Sequence, residues 1–168
     1  MPSFYKAFPT NIHLIETYSS LLSIRKLQEK IIRVFYEING KEFGFEDVAN
    51  PTVPEGTVIF NIGLAGAKKF SLINSEQVNA AIGVLNKENL QTIDFIIVIR
   101  YYKGKTEKRV PLRFDYYLMR TIYGKDKLEM QIAHDSGPRY VTPEDLSEFI
   151  FSKINVDSKK KPLKKLNP

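Results

Sequence analysis

The sequence predicts a single α+β domain, in which a mainly antiparallel sheet of about six to eight strands, built from hairpins, packs against three helices and is followed by a disordered basic C-terminal tail. Three observations carry this prediction. The 168 residues suffice for one domain of usual size, and 43% hydrophobic with 12% aromatic residues supply its core. β-rich runs separated by Asn-Gly, Gly-Lys and Lys-Asp pairs recur along the chain. Other stretches carry apolar residues at helical spacing. The domain is assigned to residues 1–155 and the tail to 156–168.

Leu14, Ile15, Tyr18, Leu21 and Leu22 follow the i, i+1, i+4, i+7, i+8 stripe of an amphipathic helix, with Thr10 or Asn11 as its cap. Next, "IIRVFYEINGKEFGF" places Asn39-Gly40 between β-rich runs, a strong hairpin signal because both turn residues must take positive φ. That hairpin sets Tyr36 opposite Phe43 and Val34 opposite Phe45, with Glu37 and Glu42 as an unfavourable like-charged pair. After the proline-broken "NPTVPEG", residues 57–64 read as a strand. "GLAGAKK" (Gly63 to Lys69) lacks the spacing of phosphate-cradling loops and reads as a turn ending that strand. Val78, Ala81, Ile82 and Leu85 mark a helix capped by Asn74 or Ser75. Joined through that helix, strands 57–64 and 93–101 have the makings of a right-handed parallel crossover, which would make the sheet mixed.

The stretch "RYYKGKTEKR" (100–109) reads as a hairpin tip. A two-residue Gly104-Lys105 turn pairs Ile99 with Val110, Ile97 with Leu112 and Phe95 with Phe114 on the inner face, and leaves Arg100 opposite Arg109 outside. Pro111 marks an edge or bulge. A Lys125-Asp126 turn then pairs Tyr123 with Leu128, Thr121 with Met130 and Met119 with Ile132, so the inward parity switches from even at Phe114 to odd at Met119, through a bulge near Asp115 to Tyr117. The last helix starts at Thr142 as cap, with Pro143 first and Glu144 and Asp145 in the positive first turn, and Leu146, Phe149, Ile150 and Ile154 or Lys153 follow at helical spacing. "VDSKKKPLKKLNP" has little to bury.

The net charge of +6 is uneven: residues 1–99 carry 9 basic and 10 acidic groups, 100–127 carry 9 and 3, 128–152 carry 1 and 5, and 153–168 carry 6 and 1. With no cysteine, the chain has no disulfide, thiolate metal site or cysteine nucleophile, which fits a cytoplasmic protein. No secretory signal pattern opens the sequence, and its longest apolar run, Phe95 to Ile99, is far short of the roughly 20 residues of a membrane helix. His134 with Asp135 and Ser136 names the residue types of a hydrolase triad, but sequence neighbours do not hold triad geometry among themselves; His134 reads as an ordinary strand-end histidine.

These observations lead to a non-enzymatic binding protein without metal or cofactor. Its expected ligand is RNA, single-strand DNA or a ribonucleoprotein surface. The binding groups are Arg100, Tyr102, Lys103, Lys105, Lys108, Arg109 and Arg113 of the hairpin with Lys159, Lys160, Lys161, Lys164 and Lys165 of the tail. Cations neutralise phosphates and tyrosine rings stack on unpaired bases. The alternative is a protein-interaction subunit docking through a sheet edge or the last helix. A third is an enzyme using a carboxylate or lysine that no motif locates.

Overall fold

The computed structural model describes residues 8–49, 55–65, 70–104, 106–156 and 161–166. In chain order they form β1 (Leu14–Ser20), α1 (Ile24–Ile38), β2 (Glu42–Gly44), β3 (Gly56–Ala65), β4 (Phe70–Leu72), α2 (Ser75–Lys87), β5 (Thr92–Lys103), β6 (Val110–Gly124), β7 (Lys127–Ser136), α3 (Pro143–Asn155) and β8 (Leu163–Lys165). Short 3-10 turns occupy Phe45–Asp47 and Thr106–Lys108. The strands join in one antiparallel sheet, ordered β2-β3-β5-β6-β7-β1-β8, with β4 also on β3. The α+β class and the hairpin-built sheet with three helices are as the sequence predicts. The parallel crossover is not formed: β3 and β5 are antiparallel, Phe60 opposite Ile99. The chain doubles back in β4 before entering α2, and this extra reversal inverts the direction of β5.

The N-terminal third departs from expectation. Residues 14–20 are strand, because Leu14, Tyr18 and Leu22 stand four apart, a spacing that period two satisfies as well as helical period does. The helix lies further on. Ser23 caps it, its Oγ accepting from the Lys26 N–H at 3.3 Å, and Leu27, Ile31, Ile32, Val34, Phe35 and Ile38 are its buried stripe. Asn39-Gly40 therefore ends α1 instead of turning a hairpin. Gly40 takes φ +77°, the left-handed conformation common just past a helix end, and Tyr36 and Val34 have no strand partners in Phe43 and Phe45.

Asn39 also completes the edge of β3. The Asn39 Oδ1 accepts from the Ile62 N–H at 2.7 Å, its Nδ2 donates to the Ile73 carbonyl at 3.0 Å, and the Gly40 N–H donates to the Phe60 carbonyl at 2.6 Å. The side-chain amide thus fills the gap between β2 and β4, which pair with different parts of the same edge.

All three helices lie on one face of the sheet, which curls around α3. Phe149 of α3 stacks on Phe60 of β3 at 5.2 Å and meets Phe43 of β2 edge-on, while Phe151 stacks on Tyr18 of β1 at 5.3 Å and Ser147 hydrogen-bonds the Tyr18 hydroxyl. Strands near both ends of the sheet therefore touch one helix. Its cap is the expected one: the Thr142 Oγ1 accepts from the Asp145 N–H at 3.1 Å. α2 likewise begins at its expected cap, Asn74.

Within the C-terminal segment, residues 161–166 do not behave as a tail with nothing to bury. β8 pairs with β1, Leu163 is buried, and the Asn155 amide both donates to the Leu163 carbonyl and accepts from its N–H, each at 3.0 Å. Pro162 and Leu163 are buried while Lys164, Lys165 and Leu166 are exposed, so no period-two alternation in this charged run marks the strand.

Both amide clamps can be tested by removal. Asn39→Asp sets a carboxylate against the Ile73 carbonyl and removes a donor, so urea denaturation should show a loss of about 1–3 kcal/mol. Truncation after Val156 exposes the face that Leu163 covers and strands the Asn155 amide, so the thermal midpoint should fall by the equivalent of about 2–5 kcal/mol; an unchanged midpoint would show that β8 contributes nothing to the fold.

Candidate nucleic-acid interface

The geometry of the β5–β6 hairpin is fixed by a carboxylate. Asp115, fully buried on the helix-covered face, accepts from the Tyr101 hydroxyl at 2.5 Å, the Arg139 N–H at 2.7 Å and the Tyr140 N–H at 3.0 Å, and pairs with His134 Nε2 at 2.8 Å. The Tyr101 hydroxyl in turn accepts from the Val141 N–H, and the Tyr117 hydroxyl donates to the Val141 carbonyl. Burial, chiefly, pushes the Tyr101 and Tyr117 hydroxyls well above the ordinary tyrosine range, so both remain donors. Gly137, at φ +113°, lets the loop fold back: a Cβ there would collide with both Asp115 Oδ1 and the Phe114 carbonyl oxygen. His13 sits at the margin, its Nδ1 accepting the His134 N–H, with its pKa lowered by desolvation first and then by Arg139 and His134.

With Asp115 inward, its neighbours in β6 are forced outward. The expected register is therefore corrected: Phe95 lies opposite Met119, Ile97 opposite Tyr117 and Ile99 opposite Asp115, not Phe114, Leu112 and Val110. Gly104 does take positive φ, but the chain then adds the 3-10 turn Thr106–Lys108, so Lys103 pairs with Val110, and a bulge between Arg100 and Tyr102 offsets the strands further. Val110, Leu112 and Phe114 are 57%, 42% and 51% exposed, the reverse of the expected core positions. An irregularity does fall at Tyr116–Tyr117, in the pairing of β6 with β7, but its extra residue is Asp135 of β7, so the expected parity switch in β6 is absent and odd residues face inward from Asp115 to Tyr123. The Lys125-Asp126 hairpin has the expected register.

On the helix-free face, Glu42 of β2, Ile59 of β3, Arg100 of β5 and Phe114 of β6 lie opposite one another in a single row. Phe114 meets Tyr116 edge-on at 5.3 Å. One step along the strands, Tyr102 lies opposite Pro111, with the Arg109 guanidinium over its ring at 4.9 Å and ion-paired to Glu42 at 3.1 Å. Glu42, Tyr102, Glu107, Arg109 and Pro111 line an open cleft of ≈ 530 Å³.

Of the expected binding residues, Arg100, Lys103, Lys108 and Arg113 are exposed around this hairpin, while Tyr102 and Arg109 are half-buried against each other. Arg100 does not face Arg109; it faces Phe114. Lys105, Lys159 and Lys160 lie outside the described residues, as do Lys68 and Lys69. Lys161 and Lys164 are exposed, and Lys165 pairs with Glu148. The hairpin tip and the lysines of β8 are not brought together: β7 and β1 separate β6 from β8, and β8 pairs near Ser20, opposite the 104–109 tip, at the sheet end where β6 turns into β7 and where Lys127 and Lys164 flank Ser19 in one row. Arg120 is held by both oxygens of Asp94. Phe114, Tyr116 and Glu42 are the residues of this face that sequence reasoning missed. A signal for Phe114 was available in "PLRFD", where Pro111 marks an edge and an inward Phe114 would have turned Asp115 outward, away from its partners.

Asp115→Asn places an amide N–H₂ among groups that all donate. It should destabilise the protein by about 3–5 kcal/mol in chemical denaturation, and retention of wild-type stability would show that the carboxylate is dispensable. No protein-family model, curated protein or solved structure matches this chain in comparisons of sequence and fold.

Proposed function

We propose that the protein is a non-enzymatic, cytoplasmic binder of single-stranded nucleic acid, RNA first, that uses the helix-free face of the β5–β6 hairpin. The observation that carries this reading is Phe114: a half-exposed ring directly across from Arg100 on the helix-free face, away from the part of that face where Ile96, Leu118 and Ala133 are buried. An antiparallel sheet with helices behind it and exposed aromatics in front is a stacking platform for unpaired bases, and flanking cations bind the phosphates between them. Arg100 on that face and Lys108 at the tip supply that charge, and Tyr116 supports the Phe114 ring, whereas Lys103 and Arg113 alternate to the other side of their strands, with Tyr101 and Asp115. The lysines of β8 lie too far away to belong to the same footprint, so the proposal rests on the hairpin.

A second reading, docking of a protein partner, is favoured by one observation. Val110 and Leu112 are exposed where β6 runs beyond the end of its pairing with β7, which reaches only Tyr116.

Titration of a fluorescent single-strand oligonucleotide at low salt separates the two. Phe114→Ala should weaken binding about 5- to 150-fold, the worth of one stacked base, with little change in salt dependence or stability. Arg100→Gln should make the slope of log affinity against log salt shallower by about 0.7. Absence of binding by the wild type would leave the protein-docking reading, which a Leu112→Lys variant tests by loss of partner capture.

A further inference from the structure

Arg109 differs from the other described cations of the hairpin tip in being engaged twice. Its guanidinium is bonded to the Glu42 carboxylate and lies over the Tyr102 ring, so the charge that would meet a phosphate and the ring face that would meet a base are occupied by each other and by Glu42. Glu42 comes from β2 and stands in the same row as Arg100 and Phe114, and with Glu107 in the same cleft it places negative charge beside the groups that would meet an anionic strand. The cleft beside it is open and is bounded by the Tyr102 and Pro111 rings.

We infer that Tyr102 and Arg109 form a second nucleotide subsite that the protein keeps closed on itself, with the Glu42 carboxylate standing in for a phosphate. The inference rests on the nucleic-acid reading above and adds to it a class of ligand and a means of regulation. Tyr102 lies two residues along β5 from Arg100, the partner of Phe114, which is about 7 Å. Phosphates along one strand of a regular duplex are spaced by about 3.4 Å of axial rise. Adjacent bases that engage both rings are therefore parted beyond that rise, as in a single strand with its bases splayed. On arrival its phosphate displaces Glu42 from Arg109, the guanidinium leaves the ring, and Tyr102 accepts the next base. Duplex, whose bases are stacked and paired, reaches neither ring.

The test is a double-mutant cycle read by titration of a ten-nucleotide single-strand oligouridylate, with a duplex of equal length as control. Glu42→Gln keeps the size of a partly exposed side chain, and its thermal midpoint is checked against the wild type. It should bind the single strand about two- to five-fold more tightly, the range that a partly exposed ion pair can hold back, with a salt slope steeper by about 0.7 because Arg109 now neutralises one more phosphate. In the Arg109→Gln background the same change should leave affinity as it was, because there is no guanidinium to release. Tighter binding that persists without Arg109 would mean that Glu42 acts only as a repelling charge, and unchanged or weaker binding by Glu42→Gln alone would mean that it positions Arg109. Either result overturns the closed subsite while leaving the Phe114 platform in place, provided the wild type binds and Phe114→Ala weakens it. If neither the wild type nor Glu42→Gln binds at low salt, both readings fall.

Discussion

The buried Asp115 carboxylate is the constraint on which the rest of this structure depends. Taking a carboxylate out of water costs several kcal/mol, and the cost is offset only where donors converge on both oxygens. Here they come from β5, from β7 and from the loop that leads into α3, so one side chain fixes the distances among three elements. It also fixes parity. Because side chains alternate across a strand, Asp115 cannot face inward unless Phe114 faces outward. The internal polar network and the exposed ring are thus two results of one register, and the candidate interface exists because the interior requires a carboxylate at that place.

A second economy appears at the sheet's margins. Asn39 and Asn155 each use a primary amide, which carries donor and acceptor like a peptide group, to satisfy backbone that no neighbouring strand reaches. Both sit at the C-terminal ends of helices, at Asn39 just beyond α1 and at Asn155 in the last residue of α3. The helix ends are thereby tied to the sheet edges, and the curl of the sheet around α3 is held by polar contacts as well as by the Phe149 and Phe151 rings.

What was legible in the sequence is what local chemistry alone decides. Thr142-Pro143 and Asn74 cap their helices as written, and the Lys125-Asp126 turn sets the β6–β7 register because no bulge intervenes before Tyr117. Where a local pattern has two readings, distant contacts chose. Leu14, Tyr18 and Leu22 fit strand and helix equally, and the pairing of Leu14 with Ile132 and of Tyr18 with Leu128 in β7 decided for strand. Asn39-Gly40 serves a hairpin or a helix terminus, and the buried stripe from Leu27 to Ile38 decided for the terminus. The β5–β6 register was misread because the reasons for it, Tyr101, His134, Arg139 and Tyr140, come together only in three dimensions. With the register went Phe114, so the basic residues of the candidate interface were legible and its exposed ring was not.

β1 has a further consequence in time. Its two neighbours in the sheet are β7 and β8, both drawn from the last third of the chain, so the first described strand has nothing to pair with until the chain has been made beyond residue 127. Contacts of that sequence separation raise the entropic cost of closing the fold and slow it relative to structures built from local contacts. During synthesis the hairpins from β3 to β6 can assemble while Leu14 to Ser20 waits, carrying the Tyr18 ring that will meet α3. Completion of the sheet is therefore a late event, set by when the C-terminal strands emerge.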